Sequence, residues 1–379
     1  MTTCLKHILR PTYAFINLNA LKNNLLKAKK LAAKNSNINP KIMLLVKANA
    51  YGHGILQVAS YAQKEKLCHA FGVASIEEGV LLRQNNIKLP ILVLGSVYPF
   101  ECFEEALKNN LSITVASVRA AKYIASLAVK LKLTARCHIK QETGMGRIGS
   151  RRPAAIEILK ILNASKYVVV EGVYSHLSAP QLAAHTKQQL NYFKEFLATA
   201  AAQNLKTGLA HIAASPGFLK YKNIGFDMIR LGHLAYGLED GFEPVLSLHS
   251  KVVFIKDVRQ NTPVSYGLSY ICKHNAKIAT IPIGYGDGYK RALSNKADVL
   301  IKGKKCPIIG NITMDMLMVD ITKLGDIPVG SEVVLIGKQK GQSISAADLA
   351  KKASTIDYEI LTTIAARVPR ITDKKCLKH

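Results

Sequence analysis

Up to about residue 240 the chain alternates short β-branched runs with longer segments of helical period, and this alternation limits it to very few folds. The runs are KIMLLVKA (41–48), AFGVAS (70–75), ILVLGS (91–96), LSITVAS (111–117), LTARCHIK (133–140), VVVEGVYSHL (168–177), LAHIAAS (209–215) and DMIRLG (227–232). Strand and helix in alternation imply βαβ units and a parallel sheet, and eight such strands imply a closed α/β barrel of the (β/α)8 TIM type. An open doubly wound sheet is the alternative, but no G-x-G-x-x-G follows the first strand. From about residue 245 the pattern changes to short strands separated by Gly, Pro, Asn and Asp turns, which predicts a mainly β C-terminal domain. The expected division is a barrel over 11–240 and a β domain over 241–379, with the turn-rich YGLEDGFEP between them. A helix is expected at 345–353.

Composition excludes several classes. No apolar run approaches the roughly 18 residues that cross a bilayer, and the N-terminal MTTCLKHILRPTYAF lacks a continuous apolar segment behind its basic residues. A cytoplasmic protein without membrane partners is expected. Seven scattered cysteines, Cys4, Cys68, Cys102, Cys137, Cys272, Cys306 and Cys376, form no C-x-x-C pair. They argue against a disulfide framework and against a bound metal. The chain carries 52 basic against 25 acidic residues, a net charge of +27. That excess invites a nucleic-acid reading. Its lysines, however, are spread along helices such as LKNNLLKAKKLAAK, with no Arg-rich tail and no nucleic-acid motif. A solvated basic surface that favours small anions such as a phosphorylated cofactor is the better reading.

The active site of such a barrel lies at the C-terminal ends of its strands. There the sequence puts Lys47 closing the first run, Lys140 and Arg147 around the fifth, His176 at the end of the sixth, Ser215 at the end of the seventh and Arg230 in the eighth. Polar groups from five strands converging on one mouth are hard to derive from packing alone. A strand-end lysine normally snorkels to water, but one whose pKa is lowered by burial or cationic neighbours becomes nucleophilic. The ASPG segment (214–217) reads as a helix start where barrels commonly hold a phosphate, and an arginine can contact a pyridine-type nitrogen. Together these features describe a pocket for pyridoxal 5'-phosphate.

The blocks VKANAYGHG, TGMGRIG, VYSHLS, RLGHLAYG, VSYGLSY, IPIGYGDGY, GNITMDML and TIDYEILTTIAARVPR stand in the order and at the spacing of alanine racemase, which the chain resembles from about residue 11 to 371. The resemblance implies a pyridoxal phosphate barrel, a C-terminal β domain, and a homodimer whose active sites are completed across the subunit interface. It implies that Lys47 is the Schiff-base lysine and that Tyr266 is the acid/base group on the opposite face of the substrate. Removing an α-proton on one side and returning one on the other requires two such groups. Tyr51, Ser215 and Tyr358 resemble phosphate ligands, joined by backbone N–H groups near Gly232 and His233. His176 resembles the group oriented toward the tyrosine, and Arg230 the partner of the pyridine nitrogen. Arg147 and Met314 resemble the holders of the substrate carboxylate, with Asp315 in support; Tyr285 resembles a substrate-entrance tyrosine, and Lys140 a carbamylated lysine.

Taken alone, several of these residues have blander roles: a packed ring for Tyr51, a helix N-cap for Ser215, a core position for Met314, a turn for Tyr266. The chain departs from the family pattern at Glu142, where Asp is usual, at Ala214 for Asn, at Asn311 for Arg, and at Leu231-Gly232 for Pro-Gly. The implied activity is interconversion of L- and D-alanine, supplying D-alanine for peptidoglycan. The alternatives are a broad-specificity or serine racemase, a related barrel decarboxylase, and a non-catalytic pyridoxal phosphate carrier. The decarboxylase lacks its catalytic cysteine motif here, and such carriers are single barrels.

Overall fold

The computed structural model describes residues 9–35 and 39–372. Cys4, Cys376 and the first eight residues of the N-terminal segment lie outside the described residues; the five described cysteines are all free. The chain forms two compact units. One comprises the described residues up to Leu21, Tyr51–Gly54 and those from Glu243 onward; the other comprises Lys22–Ala50 and Ile55–Phe242.

The first strand, β1 (Tyr13–Ile16), belongs to the former unit. The second unit holds all eight expected parallel strands: β2 (Lys41–Leu45), β3 (Ala70–Val73), β4 (Ile91–Val93), β5 (Ser112–Val115), β6 (Ala135–Lys140), β7 (Val168–Tyr174), β8 (Leu209–His211) and β9 (Met228–Leu231). They pair in the order β8-β7-β6-β5-β4-β3-β2-β9. Between β8 and β9 the ring is nearly closed by an isolated bridge of Ala214 with Arg230 and by the Arg230 N–H donating to Ala213 O at 3.1 Å. β3, β4 and β5 are buried at every position, because helices cover one face of a barrel sheet and packed side chains fill the other. The helix Val118–Leu131 shows how such a cover is written in sequence. Ala120, Ala121, Ile124, Leu127 and Ala128 make its buried stripe, and the Ser117 hydroxyl accepts the Ala120 N–H at 3.1 Å to cap it.

The other unit is mainly β. Its strands after β1 are β10 (Leu246–Lys251), β11 (Phe254–Val258), β12 (Ala276–Ile281), β13 (Asp298–Ile301), β14 (Lys304–Ile309), β15 (Leu317–Asp320), β16 (Glu332–Gln339), β17 (Gln342–Ile344) and β18 (Arg370–Ile371). They pair in the order β11-β12-β15-β14-β13-β16-β10-β1-β18, with β17 against β16. The expected helix is present at Ala346–Lys352, opened by a capping box of Ser345 and Asp348.

One local feature departs from the sequence reading. The first barrel strand stops at Leu45, and Lys47 opens a left-handed turn instead of closing the strand. Ala48, Asn49, Ala50 and Tyr51 all have φ between 52° and 54°. Each non-glycine residue held there costs roughly 1–2 kcal/mol, so neighbours must impose the turn. Glu78 accepts the Ala48 N–H at 2.6 Å with one carboxylate oxygen and the Ala74 N–H at 2.8 Å with the other. The Asn49 side chain accepts the Ile55 N–H at 2.8 Å, and the Ala50 N–H donates to Val46 O at 2.7 Å. Small side chains at 48 and 50 keep the steric cost of the turn low.

Glu78→Ala is therefore expected to lower stability by about 1–3 kcal/mol, the range for backbone donors losing a charged acceptor. Urea unfolding should show this as a lower midpoint at unchanged m-value; an unchanged midpoint would mean that the turn holds without Glu78.

Candidate active site

In the barrel unit the site is organised around Arg230, which is 3 % exposed. A buried guanidinium needs acceptors for its donors. Nη1 donates to His211 Nδ1 at 2.7 Å; Nη2 donates to Ser175 O at 2.8 Å, Ile212 O at 2.9 Å and His176 Nδ1 at 3.2 Å. Burial nevertheless pushes its pKa down to about 10, countered by the Tyr174 phenol and reinforced by Arg147. Arginine has no acceptor, so His211 and His176 must each present an unprotonated Nδ1 and carry the proton on Nε2.

Tyr174 forms the platform beneath this cation. Its ring stacks on His211 at 4.9 Å and 1° between planes, with the Arg230 guanidinium 5.3 Å and the Lys140 ammonium 5.1 Å from its centroid. The phenol is hydrogen-bonded to Thr114 Oγ1 at 2.7 Å.

Arg147 and Arg230 are close enough to Lys47 and Lys140 to lower both ammonium pKa values electrostatically. The Lys47 pKa is lowered first by burial, then by Arg147, with Glu78 opposing and Arg230 adding to the fall. Lys140 is brought down to about 8, by burial first and then by Arg230, Arg147 and Lys47 against Glu142. A lysine in this state holds a substantial neutral fraction near pH 7. The Arg147 loop is shaped by Glu142, the residue standing where the family has Asp. Its carboxylate accepts the N–H groups of Gly144 at 2.5 Å, Met145 at 2.6 Å and Gly146 at 3.0 Å.

Ser215 is buried and opens the helix Ser215–Lys220; Ala214, one residue earlier, is the N-cap. The Ser215 hydroxyl accepts the N–H groups of Gly232 at 3.4 Å and Leu234 at 3.2 Å, which ties it to the loop after β9 and leaves its own proton to donate. The His233 side chain turns to Glu239 at 2.9 Å.

In the β unit, Tyr51 and Tyr358 meet with ring centroids 5.6 Å apart, and burial pushes the Tyr51 phenol up. Tyr266 sits in a short turn and is 76 % exposed. Asn311 holds that turn: its side-chain amide donates to Tyr266 O at 2.7 Å, and its backbone oxygen accepts the Ser265 hydroxyl at 2.5 Å. Tyr285 and Met314 are joined through backbone, the Tyr285 N–H donating to Thr313 O at 3.0 Å and the Gly286 N–H to Met314 O at 2.8 Å. A Cβ on Gly284 would stand 2.1 Å from Thr313 O, so only glycine permits this approach. Asp287 anchors the loop, its buried carboxylate taking Arg10 Nη1 and Nη2 at 2.5 Å each and Arg367 Nε at 2.7 Å. Asp315 accepts Arg367 Nη2 at 2.7 Å.

Sequence reasoning missed Tyr174, His211 and His138. A period-two count back from His176 reaches Tyr174, and one back from Lys140 reaches His138, so the strand alternation carried a usable signal.

The buried imidazoles predict a pH response. His176 is brought down to about 3, by burial first and then by Arg230, Lys140, Arg147 and Lys47; His138 falls to about 4, by burial against Glu171; His211 lies well below its ordinary value. The unfolded chain binds these protons from about pH 6.5 downward, while the folded chain does not until about pH 4 or about pH 3. Their contribution is thus complete above pH 6.5 and is lost as pH falls toward the folded values. Urea midpoints measured from pH 7 to pH 4 should fall steadily, and less steeply in His176→Asn.

The N-terminal domain model of alanine racemase matches residues 16–240, and the C-terminal domain model matches residues 245–372. The alanine racemase of Halothermothrix orenii is 40% identical over 375 residues, covering 96% of this chain and 97% of that protein. Alanine racemase 2 of Bacillus subtilis is 37% identical over 377 residues, covering 95% and 94%. Among solved structures, alanine racemase of Clostridium difficile 630 superposes with a TM-score of 0.88 at 36% identity, covering 97% of each chain. The Bacillus anthracis enzyme with bound L-Ala-P gives 0.88 at 35% identity, covering 97% of this chain and 96% of that one. With both domain models matched in order along nearly its whole length, this chain belongs to the alanine racemase family.

Proposed function

We propose that the protein interconverts L- and D-alanine with pyridoxal 5'-phosphate as cofactor, Lys47 and Tyr266 being the two proton-transfer groups. The observation that carries this reading is the cationic mouth of the barrel, where Lys47 is held near Arg147 and the buried Arg230 and its ammonium is pushed toward the neutral amine. The donor set fits the cofactor. An amine stands for its aldehyde carbon and a fixed guanidinium for its ring nitrogen. The Ser215 hydroxyl, Gly232 and His233 backbone groups, Tyr51 and Tyr358 stand for its phosphate.

Bound there, the cofactor withdraws electrons from the substrate and acidifies its α-hydrogen. Lys47 Nζ takes or returns the α-proton on one face, and the Tyr266 phenol does so on the other. Arg147 and the Met314 backbone N–H hold the substrate carboxylate, and Tyr285 stands at the entrance. His176, with Nδ1 committed to Arg230, keeps a proton on Nε2 to offer. Because arginine does not readily give up a proton, Arg230 would hold the ring nitrogen without protonating it, and the bound cofactor would be a weaker electron sink. That favours proton return over transamination. The neutral fraction of Lys140 suits attack on carbon dioxide, in which nitrogen bonds carbon and loses one proton. The resulting carbamate converts Lys140 from a repulsive neighbour of Arg147 into an acceptor.

Tyr266 is exposed together with Leu268, Ile271, Met314 and Met316. Apolar exposure of this kind marks an interaction surface, and a second copy of the chain covering it would desolvate the tyrosine. The active sites are then shared within a homodimer, and the D-alanine formed serves peptidoglycan.

Incubation with L-alanine and pyridoxal phosphate in heavy water should yield D-alanine carrying α-deuterium, ahead of any product from L-serine or L-lysine; retention of the α-hydrogen in every amino acid would refute the reading.

Lys47→Ala should abolish exchange with both enantiomers, while Tyr266→Phe should impair removal from L-alanine most. Mixing the Lys47→Ala and Tyr266→Phe chains should raise activity above that of either alone, by pairing intact Lys47 with intact Tyr266. No recovery after proven subunit exchange would exclude shared sites.

A further inference from the structure

The His211 imidazole does not end the chain that begins at Arg230. Its Nε2 lies 3.1 Å from Nδ1 of His138, a second fully enclosed imidazole in the centre of β6. Arg230 can only donate, which leaves His211 with its proton on Nε2; His211 must then donate to His138 Nδ1, and His138 must carry its own proton on Nε2. Nearest to that N–H among charged groups is the Glu171 carboxylate, whose Oε2 is 3.9 Å from Nε2, an electrostatic neighbour beyond hydrogen-bond distance. One donor thus sets the tautomers of two rings, and the series runs from a buried cation to an anion about two imidazoles distant.

Three other features of the barrel are built around this series. The register of β6 against β7 shifts between Cys137 and His138, pairing Cys137 with Val170 and His138 with Gly172, so that Glu171 is the extra residue of a β-bulge. A bulge re-aims a side chain, and here Glu171 is turned to Ser112 Oγ at 2.5 Å and Arg136 Nη1 at 2.8 Å as well as toward His138. Opposite His138, a Cβ on Gly172 would stand 2.4 Å from Nδ1 and 2.5 Å from Cε1, so the ring occupies the space that glycine leaves. Finally, His138 and Glu171 line a cavity of about 620 Å³ at the N-terminal end of the strands, together with Lys41, Ala70, Ser112 and Met228. The series that begins at Arg230 therefore ends at the barrel end opposite the one where Lys47 stands.

We propose that His138 is a positioning residue for Arg230, holding the guanidinium in its orientation through His211, with the bulged Glu171 as the anchor of the chain. The inference rests on the reading above that Arg230 faces the cofactor ring nitrogen. Arg230 has no carboxylate among its hydrogen-bond partners; its side chain is fixed by carbonyls and by imidazole nitrogens that accept only in one tautomer. Losing His138 frees His211 to turn or to change tautomer, and the Nη1 contact goes with it.

The experiment is nitrogen NMR of the pyridoxal phosphate-loaded protein labelled with 15N-histidine, with cofactor affinity measured in parallel. The native protein should show His138 and His211 as neutral rings protonated on Nε2. His138→Leu should shift the His211 ring resonances toward an unbonded or mixed tautomer and weaken cofactor binding roughly tenfold, the scale of one lost hydrogen bond. His138→Asn, whose amide oxygen can stand where Nδ1 stood, should restore the His211 signature. If His138→Leu does not fold, His138→Gln keeps a polar side chain in the same space while removing the ring, and Lys66→Met at the cavity wall should change neither readout. Native His211 protonated on Nδ1, or His211 resonances and cofactor affinity unchanged when His138 is removed, would overturn the proposal. A native protein that binds no pyridoxal phosphate would instead sink the functional reading, and the imidazole resonances would still decide the chain.

Discussion

A buried guanidinium without a carboxylate beside it is the constraint to which the barrel interior answers. Arg230 enters from β9 and is satisfied by Ser175 and Ile212 carbonyls and by two imidazoles. Every acceptor comes from the strand ends or loops of β7 and β8. The geometry of those strands is thus fixed by where the hydrogen-bond donors point, and the histidines are held neutral by burial first and then by the Arg230 charge. The Tyr174 ring lets two cations, Arg230 and Lys140, share one apolar-bodied neighbour. A carboxylate in the same place would offset the cationic field that, after burial, lowers the Lys47 and Lys140 pKa values.

Much of this was legible in the sequence for a definite reason. Parallel barrel strands are buried on both faces and read as short apolar runs, and the amphipathic segments between them repeat at helical spacing, so that all eight strands could be placed. The strand-end residues Lys47, Lys140, His176, Ser215 and Arg230 stood out because charge or hydroxyl interrupts an apolar run there. The left-handed turn after Lys47 was not legible. Alanine is a strong helix former and a poor left-handed residue, so local propensity points away from the conformation that Glu78 and Asn49 impose from a distance. His138 was hidden for a different reason: within LTARCHIK it reads as one polar residue among several, and its meaning depends on His211, which lies far along the chain.

Departures from the family pattern fall on supporting roles. Glu142 still gathers three N–H groups of the Arg147 loop, so the longer side chain does the work of an aspartate from one methylene farther away. The Ser265 hydroxyl bonds the backbone oxygen of residue 311, which any residue offers, but the side-chain amide of Asn311, where an arginine is usual, adds a hold on Tyr266 O. It exchanges a charge for a geometric restraint on the residue that the reaction needs on one face of the substrate.

The discontinuous make-up of the β unit also dictates an order of events during synthesis. The barrel's last pairing, Met228 with Lys41, becomes available once β9 has left the ribosome, and domains generally form as units as the chain emerges. β1 is made before any of this, yet Ala14 pairs with Leu248 in β10 and with Arg370 in β18. Its partners therefore arrive long after it does. Until then β1 is a short strand with two open edges, a state in which strands seek foreign partners. With only four residues, Tyr13–Ile16, it offers such partners little to hold.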